Sequence, residues 1–155
     1  MPNHLSLLGI FHTLVGVLAV IVALVGFFRE GKINPGSMTG RLYIGLTLIA
    51  CLTTFGLMRT GHFSVGHVLS ALILVLLGVG VFTSRYIQTV ALSLTVLLSM
   101  IPTTVETLTR LPLDQPIAQG PDSPAVQIGI LTCVVIFVVG VFFQIKKIRT
   151  SNQVS

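Results

Sequence analysis

The stretch LSLLGIFHTLVGVLAVIVALVGFF, residues 5–28, decides what kind of protein this is. It holds no charged side chain and one ionisable ring, His12. As a helix rising 1.5 Å per residue it covers about 36 Å, enough to cross a hydrocarbon core of about 30 Å. Gly9, His12, Gly16, Ala19, Ala23 and Gly26 recur at steps of three and four, so they share one face of that helix. In lipid there is no water to drive apolar surfaces together, and helices associate by close backbone approach over small residues. The first span is therefore expected to present this small-residue face, with an imidazole in it, to its partner helices.

Composition extends the same reading to the whole chain. Of its 155 residues 53% are hydrophobic and only 8% charged, with a mean hydropathy of +0.99. Soluble domains carry about 25% charged residues, so the chain reads as an all-α, polytopic integral membrane bundle. Its length suits one such bundle and leaves no room for a separate soluble domain. The net charge of +5 does not mark a nucleic-acid binder, because the nine Lys and Arg residues are scattered between apolar spans and form no basic groove. Cys51 and Cys133 each fall within an apolar span, without CxxC or metal-ligand spacing, and read as packing residues. The segment Met1-Pro2-Asn3-His4 lacks the positive region of a signal peptide, so residues 5–28 are expected to be a retained span.

Five spans are expected in a single bundle over residues 1–149: 5–28, 42–58, 65–83, 87–105 and 125–145. Four is the alternative, because 87–105 is the most polar, with Gln88, Thr89, Ser93, Thr95, Ser99, Thr103 and Thr104. Helix breakers in Gly31–Gly36 and five prolines between Pro102 and Pro124 mark connections. Residues 150–155 read as a disordered tail. Small residues suggest packing faces on other spans: Gly45, Ile49, Leu52 and Gly56 on the second, and Gly129, Cys133, Ile136 and Gly140 on the last. Five spans put the termini on opposite sides, and a cytoplasmic C-terminus places seven of nine Lys and Arg inside. The expectation is N-out and C-in, in a bacterial-type cytoplasmic membrane. Tyr43 and Tyr86 then fall near the inner interface, where amphipathic rings are favoured.

This topology gathers His4, His12, His62, His67 and Glu106 on the outer side. An ionisable group within a span is a functional hypothesis by default. His12 and His67 are candidate axial ligands of a haem b between the first and third spans, with Gly9, Gly16 and Gly66 leaving room for the macrocycle. With Glu106 they are, alternatively, ligands for zinc or copper. A third chemical reading is proton relay, since imidazole titrates near neutral pH. Against all three stands plain packing, in which an imidazole bonds a hydroxyl or carbonyl on a neighbouring helix. No GxSxG, Walker loop or HExxH is present, which argues against an enzyme.

At His12-Thr13-Leu14-Val15-Gly16, Gly40-Arg41-Leu42-Tyr43, Gly66-His67-Val68-Leu69 and Arg85-Tyr86 the chain resembles a family of small predicted bacterial membrane proteins. That resemblance implies a topology and no biochemical activity; where the family commonly has a His before the second-helix Arg, this chain has Gly40. A more distant likeness, carried by His12 and His67 alone, is to small di-histidine b-type cytochromes. Two functional expectations follow. One is a non-enzymatic membrane subunit or scaffold, packing with itself or a membrane partner. The other is a redox or metal-binding membrane protein with His12 and His67 as ligands.

Overall fold

The computed structural model describes residues 6–57, 64–112 and 115–151. They form five helices: α1 (Leu7–Glu30), α2 (Met38–Phe55), α3 (Val65–Phe82), α4 (Arg85–Arg110) and α5 (Pro124–Ser151). No strand occurs among the described residues. All five are long and apolar enough to cross a membrane, so the chain is a multi-pass membrane-type bundle. His4, Arg59, His62 and Asp114 lie outside the described residues, as do residues 152–155 of the expected tail.

Local chemistry explains where the helices begin and end. The Ser6 hydroxyl accepts from the Gly9 N–H at 3.1 Å and caps α1. Gly31 closes the helix in the left-handed region, at φ 74°, where a side chain would be strained. α2 starts four residues before the expected Leu42, because Ser37 supplies a cap bonded to the Gly40 N–H at 3.1 Å. α4 is a single helix of 26 residues despite Pro102. Around that proline, Ser99 and Thr103 donate to the carbonyls of Thr95 and Ser99 at 2.9 and 2.8 Å. Such back-bonding neutralises hydroxyls that lipid would otherwise penalise.

α1 packs on α2, α2 on α3, α3 on α4, and α4 closes back on α1. The result is a four-helix ring of antiparallel neighbours, with α5 attached outside it against α4. Among the described residues α1 and α3 make no helix–helix contact, so they sit on one diagonal of the ring. Ala19, Ala23, Ile33, Tyr43, Leu77, Leu92 and Val96 form its core. Lys147, on α5, reaches over Gly31, its ammonium 3.4 Å from where a Cβ would lie. The C-terminal part of α5 thus shares an end of the bundle with the α1–α2 turn.

The packing faces differ in detail from those expected. On α1, Ala19, Ala23 and Gly26 are buried, whereas Gly16 faces open space. On α2 most of the expected face points outward: Gly45 has nothing within 4 Å, and Ile49 and Leu52 are exposed, while Gly56 lies against Leu8 of α1. Gly40, Tyr43, Thr47 and Cys51 face inward instead. On α5, Gly129 lies against Thr104, but Ile136 and Gly140 face outward. In a bilayer an outward isoleucine costs nothing, whereas an outward hydroxyl does. Polarity therefore outranks residue size in choosing the buried face. Tyr43 follows the same rule: it is 1% exposed, in the core, while Tyr86 is on the surface.

Candidate functional site

The candidate chemical groups lie on two sides of α2. His12, half-buried on α1, reaches the C-terminal half of α2, where its Nδ1 is 3.0 Å from the Ala50 carbonyl oxygen and 2.9 Å from Thr53 Oγ1. A carbonyl only accepts, so Nδ1 carries the proton and donates. Thr53 gives its own hydrogen to the same carbonyl at 2.8 Å, as does Thr54 at 3.1 Å, leaving Thr53 Oγ1 free to share the imidazole N–H. In the neutral ring the lone pair is then on Nε2. Its position comes directly from helical pairing, because the N-terminal half of α1 runs beside the C-terminal half of antiparallel α2.

His67 is bound quite differently. It is the third residue of α3 and 4% exposed. Its Nδ1 accepts the backbone N–H of Ser64 at 3.1 Å and faces the Ser64 hydroxyl at 2.7 Å. A backbone N–H only donates, so in the neutral ring the proton sits on Nε2, the opposite tautomer to His12. His67 thus fills the place that Glu or Gln occupies in a capping box. Its ring also packs on Phe55 of α2, with centroids 5.8 Å apart.

The other predicted positions are not gathered with these rings. Glu106 lies in the penultimate turn of α4, exposed and ion-paired with Arg110 one turn along. Among the described residues no three His, Cys, Asp or Glu side chains gather to share a metal ion. The structure thus brings His12 and His67 to the same end of α2, on different neighbours, and leaves Glu106 on the bundle surface.

A second polar constellation runs through the interior and holds residues that sequence reasoning had not singled out as a group. Tyr43 spans the α2–α4 diagonal, its hydroxyl 2.8 Å from Thr95 Oγ1. Thr95 already donates to the Leu92 carbonyl at 2.7 Å, so Tyr43 is the donor. On the other side of α4, Ser93 donates to Gln144 Oε1 of α5 at 2.9 Å. Cys51 of α2 and Ser70 of α3 are both buried, on helices that pack against each other. Polar residues of α4 thus tie it to α2 across the ring and to α5 outside it. The signal for them was the concentration of hydroxyls on that one span; the signal for the His67 cap was the spacing Ser64-x-x-His67. Comparison of the chain with protein-family models, with curated proteins and with solved structures finds no match in any of the three.

Proposed function

We infer that this protein is a non-enzymatic multi-pass membrane subunit, lying N-out and C-in in a bacterial-type cytoplasmic membrane. It works through lateral contacts with a second copy or a membrane partner. The observation that carries this reading is the use made of the two intramembrane imidazoles. His12 ties α1 to the α2 backbone, and His67 caps α3. An interhelical bond such as that of His12 contributes on the order of 0.6–1.7 kcal/mol and a helix cap about 1 kcal/mol, which is reason enough for a histidine in a span. The outward apolar helix faces and the peripheral attachment of α5 leave ample surface for lateral association.

One feature favours a second reading, haem or metal ligation. Metal-bound imidazoles commonly donate their other ring N–H to a carbonyl or carboxylate, and His12 is held in that manner with Nε2 available. His67 would have to surrender its Ser64 cap and change tautomer to join it. An absorption spectrum and metal analysis of the purified protein separate the readings. A colourless, metal-free protein whose His12→Asn and His67→Gln variants keep the same oligomeric state supports the subunit reading. A Soret band lost in both His12→Ala and His67→Ala overturns it.

A further inference from the structure

On the outer surface of the bundle, between the end of α1 and the start of α2, lies a groove of about 590 Å³. Val22 and Val25 of α1 and Met38 and Leu42 of α2 line its apolar part, with Arg29 and Glu30 beside them at the end of α1. Val22, Val25 and Arg29 follow one another at steps of three and four, so the groove passes from apolar to charged along the α1 axis. That is also the direction in which a phospholipid passes from chain to head group. We propose that this groove binds a phosphatidylethanolamine molecule, with phosphate at Arg29, ammonium at Glu30 and the first acyl methylenes along Val22, Val25 and Leu42.

Charge complementarity selects this occupant. A guanidinium offers paired N–H donors that match phosphate oxygens. The adjacent carboxylate is half-buried, and at a membrane interface it is stabilised by a cation carrying N–H donors. Ethanolamine supplies three such donors, and choline supplies none. A purely anionic head group would satisfy Arg29 but face repulsion from Glu30. The site goes beyond the subunit reading above and depends only on the chain lying in a bilayer.

The test is native mass spectrometry of the full chain released from nanodiscs of equimolar phosphatidylethanolamine, phosphatidylcholine and phosphatidylglycerol. Wild type is expected to retain phosphatidylethanolamine about tenfold over each of the others, a ratio worth about 1.4 kcal/mol. Glu30→Gln should erase the preference over phosphatidylcholine, Arg29→Gln should weaken retention of all three, and Val25→Trp should fill the groove and abolish retention. Arg110→Gln, at the C-terminal end of α4 and so at the other end of the bundle, should leave the pattern intact. Free phosphoethanolamine in millimolar excess should not displace the lipid. Equal retention of the three lipids, preference for phosphatidylglycerol, or an unaltered ratio in Glu30→Gln would each overturn the proposal.

Discussion

Replacing Gly40 by alanine is expected to be the most damaging single-methyl insertion at the α1–α2 turn. A Cβ at this position would lie 1.8 Å from the carbonyl oxygen of Asn34 and 2.4 Å from its carbon. Both are backbone atoms, so no rotamer change relieves the clash. Restoring ordinary van der Waals separation requires the turn or the helix start to move by well over 1 Å. That turn is held by Asn34, whose carbonyl accepts from the Ser37 N–H at 3.0 Å and the Ser37 hydroxyl at 2.9 Å. It also seats Ile33, 1% exposed, in the core. Overpacking costs typically 1–3 kcal/mol, and weakening the Ser37 cap adds about 1 kcal/mol, so the loss is about 3 kcal/mol. At roughly 2–4 °C per kcal/mol for a chain of this size, the midpoint should fall by about 6–12 °C. The control is Gly45→Ala, on the same helix but with nothing within 4 Å of the new methyl. It should be neutral or slightly stabilising, since Ala is favoured over Gly within a helix by up to about 1 kcal/mol. Thermal unfolding in detergent micelles, read by thiol labelling of buried Cys51 in a Cys133→Ser background, measures both. A Gly40→Ala midpoint within about 2 °C of the parent, or a Gly45→Ala loss of equal size, would refute the reasoning from backbone contact.

Other substitutions probe the ties between helices by the same assay. His12→Ala removes the bonds to Ala50 and Thr53 and should cost about 1 kcal/mol, partly restored in His12→Asn, which can still donate to the carbonyl; equal losses in the two would argue that ring volume, not the bond, matters. Tyr43→Phe and Thr95→Val should show a coupling of roughly 0.6–1.7 kcal/mol in a double-mutant cycle, and strictly additive losses would mean the diagonal bond contributes nothing. Gly80→Ala places a Cβ 2.5 Å from Leu92 Cδ2, so it should cost about 1–3 kcal/mol. Adding Leu92→Ala to that variant should cost much less than Leu92→Ala does alone, and simple additivity would count against the proposed helix contact.

The resemblance between expectation and structure is uneven for reasons that particular residues make plain. Residues 5–28 announce a span by themselves, since a charge-free run of that length has no stable alternative to lipid. The polar fourth span was ambiguous because hydropathy averages over a whole helix. It is one helix of 26 residues in which Ser99, Thr103 and Thr109 donate to carbonyls one turn back and Ser93 and Thr95 find partners on α5 and α2. The small-residue stripe on α2 misled for a related reason: Gly45 permits close approach but does not demand it, whereas Tyr43, Thr47 and Cys51 carry polar atoms better kept from lipid.

What the sequence alone determined was the solvent, the all-helical class and nearly where the apolar helices start. Those follow from local properties of consecutive residues: hydropathy, helix breakers and capping side chains. Only the tertiary structure decided that α2 stands between His12 and His67, that Tyr43 crosses the ring to Thr95, and that α5 rides outside on α4. It also assigned the two imidazoles opposite tautomers, because the choice depends on whether Nδ1 meets a carbonyl or an N–H. Such pairings join residues up to 52 positions apart, and they are set by which helices become neighbours in the ring, a geometric outcome that no single stretch of the chain encodes.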